Sequence, residues 1–520
     1  MAIELPPHVS EKDWNKAISG FQQIVGEKNV LNTDYDRTSY RDIYAPAHVD
    51  THKPSAAVLP TSVEEVQGIV RVANETKVPL WTIARGKNLG YGSSAPVKSG
   101  SVVLDLSRLN KIIDVDVDQA SCLIEPGVGF FDLYNYIREN EIPLWISPPS
   151  HAWGSVVGNA LDRGAGYTPY GEHAANLCGL EVVLPTGDLM RTGAGAMSNS
   201  KTWQNFRTGF GPSWETMFAQ SNFGVVTKAG MWLMPEPDIT HNMKLSLRKP
   251  EDIIWAIDLI AKLRRTRVID SHVTIGSPIR FASLFSQRKE WYDGEDAVPD
   301  DVVEKMMEKY NIGYWNFNIR LFGNEAIVAV QAKIIKAEFA TKTSDQFDEE
   351  TVHKDDPIPF LAINVPTAFF LQVANWHGGR GAHTDVSPVV PLDGKTAYEQ
   401  YKRSKRLYDK HGIDFYFGYT LAERYMTNVN MMIYDRDNED MFRRVDTLFH
   451  ELTAESKEAG YGAYRTHVDY MDEIAKSYDF NDNALLKLNQ TVKDALDPNG
   501  ILSPGKSGIW PERFRQKGGK

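Results

Sequence analysis

The chain has 520 residues, 42% hydrophobic and 24% charged, a length that calls for two domains of roughly 200 or more residues each rather than a single core. Its formal charge of -11 argues against a polyanionic partner, because nucleic-acid binding needs clustered Lys and Arg. Two cysteines, Cys122 and Cys178, exclude a disulfide scaffold and a cysteine-built metal site, and the lack of a basic leader or an apolar run of about 18 residues predicts a cytoplasmic protein away from the membrane.

Residues 55–59 (SAAVL) read as a strand that Pro60 stops. Thr61 and Ser62 with Glu64 and Glu65 form overlapping capping boxes, opening a helix with Val66, Ile69, Val70 and Ala73 on one face. VPLWTIA is a second strand, SVVLDL and CLIEPGV are further strands, and FFDLYNYIREN places Phe130, Leu133, Tyr134 and Ile137 at helical spacing. This first part is α+β, with glycine-rich loops between short strands. Past MPEPD the pattern changes. KPEDIIWAIDLIAKLRR and NEAIVAVQAKIIKAEF are helical, WNFNIRLFG alternates like a half-buried strand, and FYFGYTL and NVNMMIYD add strands. An antiparallel sheet covered by helices is expected there, acting as a cap over the first part. The terminal RFRQKGGK reads as frayed.

The second strand runs into IARGKNLGYGSSAP, residues 83–96, where Gly86, Gly90 and Gly92 with Asn88 allow positive φ and close approach of backbone N–H groups to a ligand. The loop reads as an anion cradle that also carries Tyr91. GYGSSA formally matches a dinucleotide fingerprint, but Pro96 and a strand follow instead of a helix, so that reading is rejected. GILSPGKS, residues 500–507, matches a P-loop pattern, yet Pro504 removes a donor and no strand precedes it; Lys506 remains a possible contact to an anion. GSVVGNALDRGAGYTPYGEH, residues 154–173, is again glycine-rich and reads as non-helical. Two such loops either grip a pyrophosphate and its planar ring by backbone groups or are simply tight turns. The histidines show no H-x-x-x-H or H-E-x-x-H pair, so no metal site is expected. HGGRGAH sets His383 on what reads as a glycine-rich loop. In YGAYRTH, Tyr464 and Arg465 face opposite ways on a regular strand but converge at a bulge.

Long blocks in fixed order, among them SAAVLPTSVEEVQGIVRVAN, GKNLGYGSSAP, GNALDRGAGYTPYGEH, SNFGVVTKAGMWLMP, GYGAYRTH and DALDPNGILSPGKSGIW, resemble the vanillyl-alcohol oxidase and p-cresol methylhydroxylase flavoproteins over nearly the whole chain. The resemblance implies a two-lobed α+β fold: an FAD-binding domain from residues 1–240 and 463–520, and a cap over 241–462. It implies FAD held by Arg85, Gly86, Lys87, Asn88, Leu89, Gly90, Gly92 and Ser93 of the first loop. Gly154, Ser155, Gly158, Asn159, Gly166, Tyr170 and Gly171 of the second, with Val226 and Lys506, complete that set. His383 matches the histidine that the family's oxidases attach covalently to the flavin. Tyr91, Tyr464 and Arg465 match the residues that bind a phenolic substrate as phenolate, from which hydride leaves the para benzylic carbon for the flavin. The short loop SNSKTWQNF after RTGAGAM implies a homodimer.

Departures from the family pattern set the open questions. Ser150 stands where the family's oxidases carry an aspartate, as it does in the methylhydroxylase branch, and Asp385 or His151 are candidates to replace that acid or base. In the implied substrate pocket, Thr427 and Asn428 stand where the family has two histidines, and Gly418 replaces a larger residue, which implies room for para-substituents larger than methyl. The leading expectation is an FAD oxidase of para-substituted phenols that reduces O2 to H2O2. The alternatives are a dehydrogenase passing electrons to a cytochrome and a flavin-binding protein that has lost catalysis.

Overall fold

The computed structural model describes residues 5–46, 51–359 and 361–515. Near the N-terminus a four-stranded sheet runs in the order Val30–Leu31, Ala56–Val58, Val102–Asp105, Leu80–Ile83, with its last three strands parallel. Parallel neighbours need a crossover, and the helix Val63–Thr76 supplies it. Its start is capped as the sequence suggests: the Glu65 N–H donates to Ser62 Oγ at 3.2 Å, and the Thr61 N–H donates to the Glu65 carboxylate at 2.6 Å. Val66, Ile69, Val70 and Ala73 are fully buried in the core beneath it.

A five-stranded antiparallel sheet follows, in the order Ile112–Asp116, Ser121–Ile124, Val225–Trp232, Leu177–Val183, Leu189–Arg191. Against it pack the helices Phe130–Glu139 and Val156–Leu161. The second of these corrects the non-helical reading of residues 154–173. Ser155 caps it, accepting from the Gly158 N–H at 2.9 Å, and one short helical turn fits between glycines that sequence alone reads as loop.

The largest sheet has eight strands, all paired antiparallel. Along it lie Asp348–His353, Ile239–Leu247, Trp315–Gly323, Val273–Gly276, Tyr416–Leu421, Tyr425–Asp435 and Gly381–Val386, with Val389–Pro391 also on Tyr425–Asp435. Alternation gives it two unlike faces. Met243, Leu245, Ile275, Trp315, Phe317 and Ile319 point into a core shared with the helices Ile253–Arg265, Glu325–Phe339 and Gly394–His411. The opposite face looks toward the glycine loops.

The C-terminal segment returns to the first sheets. Leu502 bridges Leu80 in parallel, and the wholly buried Lys493 donates from Nζ to the carbonyls of Asn222 and Leu502, both at 2.7 Å. Its charge is met by Asp497 at 2.7 Å, and Asp497 also accepts the Ile501 and Leu502 N–H groups. The basic end is not frayed as far as Arg515. Arg513 donates to the carbonyls of Lys77 and Gly500, and Arg515 pairs with Asp494; the rest of RFRQKGGK, 516–520, lies outside the described residues. Among the described residues no helix is long and apolar enough to cross a membrane.

Candidate active site

Between the glycine loops and the polar face of the eight-stranded sheet lies a cavity of about 400 Å³. The loop 86–93 forms one wall. Gly86, Gly90, Gly92 and Ser93 all have positive φ, at 62°, 82°, 104° and 52°. The turn is closed by the Tyr91 and Ser93 N–H groups, both donating to the Asn88 carbonyl. The amides of residues 86–90 donate to no group among the described residues, so the loop presents unspent donors to the cavity that Gly86, Lys87, Asn88 and Leu89 line. That is the donor set an anion such as a pyrophosphate requires. Arg85, Gly154, Ser155, Gly158, Asn159 and Val226 complete this end. Lys506 lines it too, its Nζ 2.9 Å from Asp162, whose other oxygen accepts from Asn88 Nδ2 at 3.2 Å.

The other wall is the sheet. His383 and Asp385, two apart on Gly381–Val386, share the cavity face while Ala382 and Val386 join the core behind. His383 therefore sits on a strand and not on a loop; the preceding glycines end before the strand's pairing with Tyr425–Asp435 fixes it. Its ring lies against Gly90, where an added Cβ would come within 2.6 Å of His383 Cε1, so only glycine fits that position. His383 Nδ1 is buried without a hydrogen bond, 3.5 Å from Asp385 Oδ2, and Asp385 Oδ1 is likewise unpartnered. On the same face stand Thr427, Thr420 and Tyr416.

Tyr91, Tyr464 and Arg465 meet in this cavity from opposite ends of the chain. The stretch 461–467 is irregular apart from one bridge between Ala463 and Pro388, which frees Tyr464 and Arg465 to converge. The Arg465 guanidinium lies 4.2 Å from the Tyr91 ring centre and 5.3 Å from that of Tyr464. Burial raises both tyrosine pKa values above the ordinary range against the opposing pull of Arg465, so both keep their protons and donate. Burial also disfavours the arginine's charge, but the Tyr464, Tyr91 and Asp385 oxygens outweigh it and hold the guanidinium charged. Gln220 fixes the segment by donating to the Tyr464 carbonyl at 2.9 Å. His467 ties it to the glycine loop through Asp42, which it meets at 3.0 Å and which accepts from Ser93 Oγ at 2.8 Å.

Several expected residues are placed elsewhere. Asn428 faces the core, bonded to Gln400 and to the Gly418 carbonyl, because Thr427 beside it takes the cavity side. Gly418 leaves no extra room: the Arg280 guanidinium occupies it, 2.4 Å from where a Cβ would stand. Gly166, Tyr170 and Gly171 form a turn closed by the Gly166 N–H to the Gly171 carbonyl and docked on His272, and they do not line the cavity themselves, although Ala165 and Tyr167 beside Gly166 do. Gly92 packs on Val468. Ser150 lines the cavity with its hydroxyl bonded to Tyr167. His151 lines it as well: its Nε2–H donates to the Lys87 carbonyl at 3.1 Å, Nδ1 is free, and burial pushes its pKa down to about 4, leaving it neutral. Sequence reasoning misses Arg280, on the helix Pro278–Ala282, and also Tyr416 and Tyr167, although Tyr416 lies two residues from Gly418 on the same strand and Tyr167 next to Gly166.

A cradle of free amides, two tyrosines around an arginine and a histidine pressed on glycine define an FAD-linked oxidoreductase. The FAD binding domain family model matches residues 54–193, and the model for the C-terminal domain of FAD linked oxidases matches residues 367–507. The flavoprotein subunit of 4-cresol dehydrogenase (hydroxylating) from Pseudomonas putida is 38% identical over 512 residues, 97% of each chain. The structure of 4-ethylphenol oxidase from Gulosibacter chungangensis in complex with isoeugenol superposes with a TM-score of 0.94 at 33% identity, covering 98% of this chain and 100% of that one. Substrate-bound p-cresol methylhydroxylase gives 0.92 at 38% identity, covering 97% and 99%. The chain belongs to the vanillyl-alcohol oxidase and p-cresol methylhydroxylase family of FAD-linked flavoproteins, and FAD is its cofactor.

Proposed function

We propose that this enzyme oxidises para-substituted phenols at the benzylic carbon, as an oxidase that uses O2 and releases H2O2. The observation that carries the reading is Arg465, half-buried with its Nε enclosed, between the rings of Tyr91 and Tyr464, in the cavity that also holds the free loop amides. The names of the three relatives above support the same substrate class.

A free phenol titrates near ~10, so holding it as phenolate at neutral pH requires a displacement worth about 4 kcal/mol. One guanidinium and two protonated tyrosine hydroxyls supply this by charge and by charge-assisted hydrogen bonds to the oxygen. With its oxygen so held, the ring pushes electron density toward the para position and weakens the benzylic C–H bond toward hydride loss. FAD, held by the 86–90 amides and the 154–159 turn, supplies the two-electron acceptor. The substrate is left as a quinone methide, which gains water or loses a proton. Ser150 cannot serve as the base at neutral pH, and its hydroxyl is engaged by Tyr167. Asp385, with an unpartnered oxygen on the cavity face, takes that role. Anaerobic mixing of the holoenzyme with 4-ethylphenol should bleach the flavin; an unchanged spectrum would leave only a non-catalytic flavin protein.

Ser150 and the Pseudomonas putida relative favour a second reading, in which a cytochrome takes the electrons. Admitting air to the reduced enzyme separates the two: rapid reoxidation is expected here, and persistence of reduced flavin would establish the dehydrogenase. His383 is the residue that would hold the flavin covalently in this proposal, so a denatured gel band should fluoresce in the wild type and be dark in His383→Ala. The short 198–206 loop supports a homodimer, which light scattering would refute by finding a monomer or octamer.

A further inference from the structure

A second cavity, of about 440 Å³, adjoins the first, and Pro149, Ser150, Tyr167, Arg280 and Phe370 line both. Its roof is the polar face of the outer strands, where the alternation of WNFNIRLFG sends Asn316, Asn318 and Arg320 away from the core. Its side wall is apolar, with Phe281, Leu284, Phe285 and Phe369. Two cations face this space without a partner. Arg320 Nη1 and Arg280 Nη1 are each buried with no hydrogen bond, and neither side chain forms an ion pair among the described residues. The nearest π contact of Arg280 is the Tyr416 ring, 6.0 Å from its guanidinium. Burial pulls the Arg320 pKa down to about 10.

The acids that line this cavity are committed elsewhere. Glu236 lies 3.8 Å from Arg138, Glu350 accepts from Asn242, and Asp356 accepts the His353 N–H at 2.8 Å. An unpaired guanidinium taken out of water is costly, and a planar carboxylate is the anion whose two oxygens fit its fork. Arg280 closes the space over Gly418 and Gly276, where an added Cβ would lie 2.4 Å and 3.0 Å from its atoms, so both glycines hold this arginine in place.

Resting on the proposed phenol oxidation, we infer that the substrate carries a carboxylate at the end of its para side chain, with the chain passing Arg280 into the second cavity and the carboxylate received by Arg280 and Arg320. The phenol oxygen is held at Arg465, and the aromatic wall covers the intervening methylenes.

Calorimetry on the holoenzyme under anaerobic conditions tests this with ω-(4-hydroxyphenyl)alkanoates, from the acetate to the pentanoate, each against its methyl ester. At least one acid should bind about tenfold or more tightly than its ester. Arg320→Met should abolish that preference and Arg320→Lys should keep part of it. If 4-ethylphenol binds and is oxidised while no acid outperforms its ester, the inference is overturned and the phenol reading stands. A preference that survives in Arg320→Met overturns it equally. If 4-ethylphenol neither binds nor reduces the flavin, the phenol reading falls first. Should Arg320→Met not fold, the acid-to-ester ratio of the wild type still decides.

Discussion

The two faces of the eight-stranded sheet are built from the same strands one residue out of step. Phe417, on Tyr416–Leu421, packs among the rings of Trp315, Tyr401, Phe415 and Tyr419, and on Trp315–Gly323 Phe317 is buried in the same core while Asn318 and Arg320 look into a cavity. On Tyr425–Asp435, Asn428 and Asn430 are sealed against the helices, while Thr427 and Val429 line the cavity near the flavin cradle. One face is filled mainly by its own neighbours, in aromatic packing and the Gln400–Asn428–Asn430 amide bonds, although Asn430 Oδ1, Ser404 Oγ and Tyr408 Oη lack partners there. The other keeps buried groups without partners: His383 Nδ1, Asp385 Oδ1 and the Nη1 atoms of Arg280 and Arg320. Stability is thus concentrated on one side of the sheet and unfulfilled bonding capacity on the other, where a ligand completes it.

Substitutions can break that division. Phe317→Ala, on the satisfied face, should cost about 3–5 kcal/mol, read as a lower denaturant midpoint with little change in KM of the surviving enzyme. Arg465→Ala should lower kcat/KM for 4-ethylphenol by ~10²–10³-fold while FAD stays bound and the unfolding midpoint moves far less; equal losses of cofactor and activity would contradict the division.

His467 belongs to neither face but fastens the segment that carries Tyr464 and Arg465. Its partners Asp42 and Asp469 outweigh burial and raise its pKa to about 9. The folded chain holds this proton up to about pH 9 and the unfolded chain only to about 6.5. The stabilisation, about 3 kcal/mol, is therefore complete below pH 6.5 and is lost as pH rises through 9. A melting temperature that falls over that window in wild type and much less in His467→Asn is expected. The smallest effect belongs to Tyr464→Phe, about tenfold in kcat/KM from one lost donor, with unchanged stability.

What the sequence made legible follows from where periodicity is strong. WNFNIRLFG and NEAIVAVQAKIIKAEF coincide with the strand Trp315–Gly323 and the helix Glu325–Phe339 because each has one buried face to enforce its period. His383 was misread as a loop residue because Gly378, Gly379 and Gly381 precede it, and strand pairing with a distant segment overrides local glycine content. Thr427 and Asn428 were both assigned to the pocket, although adjacent strand residues cannot share a face. Arg280 and Arg320 were invisible for another reason. A single arginine in sequence reads as a surface charge, and only the fold shows that each buries its Nη1 against a cavity with no carboxylate partner among the described residues.

Tyr91 emerges from the ribosome early, whereas Tyr464 and Arg465 lie nearly the whole chain later, and Lys493 and Asp497 must still seal the last segment against Asn222 and Leu502. The nascent polypeptide therefore has its glycine loop long before Arg465 joins Tyr91 and Tyr464. A chain that ends anywhere before Arg465 carries the glycine cradle but lacks the guanidinium on which the proposed phenol oxidation depends.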